Sequence, residues 1–232
     1  MNFRTLMTTS AICASVLAAG CGSDTATGAT DTTPSTPRDQ LVLTGSELPA
    51  GSKKVSIPPD QLRESMADFA GVKSDSTITP EECRAPQLDL EAVSRETLSD
   101  AAITAVVADT AILTEFVSGR VADLTKFAQA EAECPQLTIS RVMEGERMDS
   151  SVKVDTRTPP AALDGIDAIA SYSTSTAAVA NVEPAVTATY AGWATLRGTT
   201  VAVRVTSLNE TLDEAAAEQF FVDAVRKVKD AK

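Results

Sequence analysis

Few groups in this chain could do covalent or redox chemistry, and their spacing limits what each can do. The cysteines are Cys13, Cys21, Cys83 and Cys134, no two of them arranged as Cys-x-x-Cys, and the chain contains no histidine. A Ser-His-Asp triad, a Cys-His pair, a histidine general base and histidine-ligated zinc or haem therefore lie outside its chemistry. A nucleophilic serine would need a lysine base in a Ser-x-x-Lys arrangement, and none is expected. Glycine-rich phosphate loops are absent as well. Glu144, Glu146 and Asp149 could offer oxygens to calcium, but their spacing fits no calcium loop and Arg147 stands among them, so a solvated hairpin tip is expected. Glu131 and Glu133 read as an exposed helix end, and Asp164 and Asp167 around Gly165 as a turn. No facing carboxylate pair suited to hydrolysis is specified. The expectation is a non-enzyme without metal or cofactor. Tyr172, Tyr190 and Trp193 remain as candidate ligand contacts, since such side chains join apolar area to a polar handle. Tyr190 and Trp193 differ by three residues, so a regular strand points them to opposite faces.

Residues 1–20 carry one cation, Arg4, then an uncharged stretch closed by small residues before Cys21. The stretch is short and rich in Ser and Thr for a membrane-spanning helix, and fits a cleaved export signal. Leu17-Ala18-Ala19-Gly20-Cys21 resembles the bacterial lipobox. That resemblance implies a diacylglyceryl group on the Cys21 thiol, cleavage before it, and anchoring of the mature chain to the membrane. Residues 21–40 hold no large apolar side chain and are rich in Thr, Gly, Ser, Asp and Pro, the composition of a disordered tether. Treated as coil, it spans on the order of 25 Å. Cys13 then falls in the discarded segment, and Cys83 and Cys134 remain as the simplest disulfide of an exported domain.

With 20 basic and 32 acidic residues the net charge is −12, which argues against nucleic-acid partners. Hydrophobic residues make up 43%, enough for a packed core in one domain over 41–232. Strand candidates are Lys54–Ile57, 103–109, 111–117, Leu137–Val142, Val152–Thr156, Ile166–Thr174, Ala185–Leu196 and Thr199–Thr206, with Arg197-Gly198 as a hairpin turn. Val201, Val203 and Val205 alternate with Ala202, Arg204 and Thr206, which reads as one buried and one wetter face and argues mildly against a large cavity. Helices are expected over 60–70, in a short turn capped by Thr79 and limited by Pro86, from Ser118 to Cys134, and from a Thr211/Glu214 capping box to the C-terminus. In that last helix Leu212, Ala216, Phe220, Ala224 and Val228 recur every fourth residue. These elements give an α+β domain, a mostly antiparallel sheet with helices packed on one face and one disulfide.

The lipobox, the tether, the Leu43…Leu48-Pro49-Ala50-Gly51 segment, the Pro80-Glu81-Glu82-Cys83 turn and the Arg197-Gly198 hairpin together resemble actinobacterial, mycobacterial-type cell-wall lipoproteins of unknown function. They are similar in turn to the extracytoplasmic sensor domain of mycobacterial membrane kinases. The resemblance implies a lipid-anchored, non-catalytic binding or sensor-like domain on the extracytoplasmic side of the cell membrane. Its partners would be an envelope protein, a glycan or a lipid. A carrier of a lipid or other apolar ligand, and an assembly partner of an envelope complex, are the alternatives.

Overall fold

The computed structural model describes residues 32–55, 76–143, 145–179, 182–207 and 209–232. The expected helix over 60–70, Ser56-Ile57 of the first strand, Cys13 and Cys21 lie outside these residues. Two short strands, β1 (Lys53–Lys54) and β2 (Thr77–Thr79), form the edges of one sheet. Between them run β3 (Ala102–Ala108), β4 (Ala111–Ser118), β5 (Gln136–Met143), β6 (Glu146–Arg157), β7 (Asp167–Val179), β8 (Ala185–Leu196) and β9 (Thr199–Ser207). The order is β1-β3-β4-β9-β8-β7-β6-β5-β2, and each of these pairings is antiparallel. The α+β class and the antiparallel sheet are as expected. Short edge strands leave few unpaired backbone groups for another chain to join.

Turn chemistry closes the hairpins. Arg197 and Gly198 both adopt positive φ, +51° and +68°, as the two central residues of a tight turn between right-twisted strands require. Arg197 serves the fold again: its guanidinium donates to the carbonyls of Val228, Lys229 and Ala231 at the end of the last helix, where carbonyls run out of i+4 partners.

The helices cover both faces of the sheet instead of the single face expected. α1 (Arg38–Leu41) and α4 (Glu214–Asp230) lie on one face, with Leu41, Leu43, Phe220, Phe221 and Val225 packed on Leu113, Tyr190, Val201 and Val203. α2 (Arg84–Leu98) and α3 (Leu124–Glu133) lie on the other, where Leu98, Leu124 and Phe127 meet Phe116, Trp193 and Ala202. The reason is legible in β9: Val201, Val203 and Val205 face α4, while Ala202, with no exposure at all, faces α2 and α3. Alternation with a small residue marks a second buried face as well as it marks a wet one.

Helix starts differ from the expected caps. α2 passes through Pro86 because Arg84, Ala85 and Pro86 form its first turn, where the missing N–H would have no helical partner. Thr79 ends β2, paired with Thr138, so Pro80 takes the cap position of the short turn Glu81–Cys83. Ser118 ends β4, its hydroxyl 2.8 Å from Asp100 Oδ1, and Asp123 caps α3 by accepting from Lys126 N. In α4 the cap is Asp213, accepting from Ala216 N. A strict four-residue repeat drifts off a 3.6-residue helix, so Ala216 is exposed and Ala217 buried.

The last part of the presumed tether joins the domain. Ser35 N and Thr36 N donate to Lys232 O, and Arg197 Nε donates to Thr32 O. Hydrogen bonds to Lys232 and from Arg197, which composition does not reveal, hold residues 32–36 against the domain.

Gly192 carries a packing constraint. A Cβ there would stand 2.7 Å from the ring of Phe221, which is fully buried. Gly192→Ala is expected to cost about 1–3 kcal/mol through overpacking, read as a lower urea midpoint at constant slope. An unchanged midpoint would mean that the ring can withdraw.

Candidate functional site

A cavity of about 110 Å³ lies between the sheet and the α2/α3 layer. Its floor follows from strand register. Ser171 pairs with Ala191, and Ala191 with Arg204, so the three side chains stand in one row across β7, β8 and β9. Adjacent strands are about 4.8 Å apart, so Ser171 and Arg204 are roughly 10 Å apart at the backbone with only a methyl group between them. In the next row Thr189 lies beside Thr206, their hydroxyls 3.1 Å apart. The small Ala191 makes the hollow, and the larger residues on either side wall it.

Apolar surface closes the rest. Phe127 of α3 lies against Trp193 with ring centroids 4.4 Å apart. Leu90 of α2 and the β5 and β6 side chains Leu137 and Val152 complete the lining. The disulfide Cys83–Cys134, Cα atoms 5.7 Å apart, pins the start of α2 to the end of α3, and Cys134 itself borders the cavity.

Polar groups also face this space, Glu131, Arg204 and Ser94 among them. Glu131, expected to be exposed, is half-buried at the inner side of α3 and accepts a hydrogen bond from Ser171 Oγ at 2.8 Å. Burial pushes its carboxyl above the usual range, and the Ser171 hydroxyl opposes that shift. The Arg204 guanidinium is held below its ordinary value by burial yet stays protonated. Ser94 of α2 is 1% exposed, and its hydroxyl has no hydrogen-bond partner among the described residues. A buried hydroxyl without a partner costs about 1–3 kcal/mol, which a bound molecule would recover.

The three aromatic candidates are not brought together. Tyr172 and Tyr190 are cross-strand partners on the α4 face. Tyr190 is fully buried, its hydroxyl raised by burial and without a partner among the described residues. Tyr172 carries the Arg157 guanidinium 5.1 Å from its ring centre, and Arg157 in turn binds Glu214. Trp193 alone lines the cavity. Ser94, Glu131, Ser171 and Arg204 were missed as site residues. The one signal is Arg204, the single charge on a strand otherwise made of Val, Ala, Thr and Ser.

The other acidic groups hold no site. Asp149 accepts from Arg147 and Ser140, which keep its carboxylate below the usual range, and Glu144 lies outside the described residues. Among the described residues no three His, Cys, Asp or Glu side chains are grouped to hold a metal. One Ser-x-x-Lys spacing does occur, contrary to expectation, at Ser150 and Lys153 of β6. Three residues apart on a strand, they face opposite ways, and Lys153 pairs with Asp155 at 3.0 Å.

Fold and cavity together define an α+β domain whose nine-stranded antiparallel sheet carries a small, mainly apolar and partly open cavity under one helical layer. No protein-family profile matches the chain, and no curated protein does. Among solved structures it is similar to the extracellular domain of PknH from Mycobacterium tuberculosis, at 13% identity and a TM-score of 0.45, over 85% of this chain and 98% of that one.

Proposed function

We propose that the chain is a non-catalytic domain that binds a small molecule in the cavity under α2 and α3, held on the extracytoplasmic side of the cell membrane by a lipid on Cys21. The cavity supports the first half of this reading. It joins an apolar lining to a buried hydroxyl without a partner among the described residues, a half-buried carboxyl and a guanidinium, a few placed polar groups in an apolar hollow. The cavity is partly open to solvent and smaller than the closed one of about 150 Å³ that accepts benzene, so it can bury the short apolar end of a ligand but not a whole acyl chain. A small amphipathic ligand fits better than a carried lipid. Trp193, the chain's one tryptophan, borders the cavity, so its emission reports on occupancy directly. A panel of compact acids, amides, alcohols and amines is expected to contain members that shift that emission saturably. A panel without effect would remove the binding reading.

The anchor rests on the Leu17–Cys21 sequence and the polar segment that follows it. Cys21→Ala is expected to move the protein from the membrane fraction to the soluble fraction of the producing cell. Retention at the wild-type level would refute lipid attachment there. Among the described residues no helix is long and apolar enough to cross a membrane.

A further inference from the structure

We propose that the ligand of this cavity is a compact monocarboxylate, its carboxylate held by the Arg204 guanidinium and the Ser94 hydroxyl and its apolar body packed against Leu90, Phe127 and Trp193. This rests on the reading of the cavity as a ligand site and adds the charge of the ligand. The polar groups of the cavity differ in what they can give up. A guanidinium does not lose its proton in a protein, whereas a buried carboxyl can take one up and become neutral. Glu131 is placed to do so, with burial favouring its protonated form and Ser171 bonded to it. Arg204 thus gives the chamber a positive charge that no titration near neutral pH removes.

Hydrogen-bond direction points the same way. The guanidinium offers five N–H donors in a planar fork that matches two carboxylate oxygens, so contacts it makes with the protein need not exhaust it. The buried Ser94 hydroxyl can donate one more bond. A group that only accepts, carrying negative charge, satisfies both. The roughly 10 Å between the Arg204 and Ser171 backbones, floored by Ala191, leaves a slot for the head of such a molecule. The aromatic pair Phe127 and Trp193 supplies the wall for its apolar end. The volume, about 110 Å³, limits the buried part of the ligand to a handful of heavy atoms.

The test is a Trp193 emission titration of the intact protein with isovalerate, isovaleramide and isoamylamine, which share one carbon skeleton and differ in charge. Isovalerate is expected to bind at least about 10-fold more tightly than the other two, the range of a charge-assisted hydrogen-bonded pair. Arg204→Gln is expected to remove that preference, weakening isovalerate at least about 10-fold and changing isovaleramide by no more than about twofold. In case that variant does not fold, Ala191→Val narrows the slot without touching charge. It is expected to weaken isovalerate about fivefold or more through overpacking. An amide or amine that binds the wild-type protein as tightly as the acid would overturn the carboxylate assignment and leave the cavity as a ligand site. Unchanged isovalerate affinity in Ala191→Val would overturn the placement of the head group. Silence toward all three probes would overturn the proposal, and the wider panel above then decides separately whether the cavity binds anything.

Discussion

Glu115→Gln is expected to stabilise the protein at alkaline pH by about 3 kcal/mol or more while leaving its stability near pH 4 almost unchanged. Glu115 stands on β4 under Leu43, has no exposure, and accepts Leu43 N at 2.7 Å through Oε2. Its Oε1 has no partner among the described residues. Burial raises the carboxyl to about 8, against the Leu43 N–H bond and the Lys227 charge, which favour ionisation. The folded state thus holds a proton that the unfolded chain releases near 4.5. The stability linked to that proton is fully present below about 4.5, declines as pH rises, and is gone above about 8. At about 1.4 kcal/mol per pH unit the whole interval amounts to roughly 5 kcal/mol, of which about 3 is a prudent expectation for a group this buried. Glutamine keeps an oxygen for Leu43 N and does not ionise. Thermal melts of both proteins from about pH 4 to about pH 9 decide the matter. A difference in melting temperature that opens to roughly 10 °C at the alkaline end is expected for a chain of this length. Parallel profiles would show that Glu115 is not the group whose charge the fold excludes.

The location of the effect is as specific as its size. Leu43 belongs to the strap of residues 38–48 that covers β3 and β4 beside α4, and Lys227 of α4 closes that strap by donating to Val42 O and Glu47. Hydrogen exchange should therefore show the Leu41–Leu43 amides losing protection first as the wild-type protein passes pH 8, with α2 and α3 unaffected. The cavity lies on the other face of the sheet, so ligand binding measured through Trp193 should not follow the Glu115 titration.

Reducing the Cys83–Cys134 disulfide, or replacing both cysteines by Ala, is expected to cost about 4 kcal/mol. The bridge closes a loop with a sequence separation of 51, and the chain-entropy account of such a loop gives that magnitude. Both cysteines are 2% exposed in a cluster with Ile78, Leu137 and Ile139, so the alanine pair adds a packing loss that reduction alone does not. A drop of roughly 10 °C in melting temperature under reductant is expected, with a further drop in the double variant. The α4 face of the sheet contains neither cysteine, so a folded core should survive. Because the bridge pins α2 to α3, ligand affinity should fall with stability. Identical melts with and without reductant would show that the bridge adds nothing.

Much of this domain can be read from its residues. Seven of the nine strands announce themselves through alternating Val, Ile and Thr between turn residues, and Arg197-Gly198 names its own hairpin because few residue pairs adopt positive φ in succession. The pairing of Cys83 with Cys134 is what remains of the cysteine arithmetic when Cys13 and Cys21 are set aside as an expected export segment. Helix α2 reads from sequence only as a short turn, because Pro86 looks like a stop unless the start of the helix is known to lie two residues before it. Order in residues 32–40 was illegible for a related reason: its hydrogen bonds run to Lys232 and Arg197, far along the chain.

The sequence by itself determined which residue types were available, the strand periods and the absence of histidine chemistry. Those are properties of composition and local spacing. Tertiary structure alone decided which side of each strand is covered, and with that the meaning of Arg204, Glu131 and Ser94. The same alternation on β9 describes a strand with one wet face and a strand buried on both. Only the packing of α2 and α3 over Ala202 and Ala191 turns an apparently solvated arginine into the charged wall of a chamber. Burial is a property of what lies opposite a side chain, and what lies opposite is fixed by contacts between residues distant in sequence.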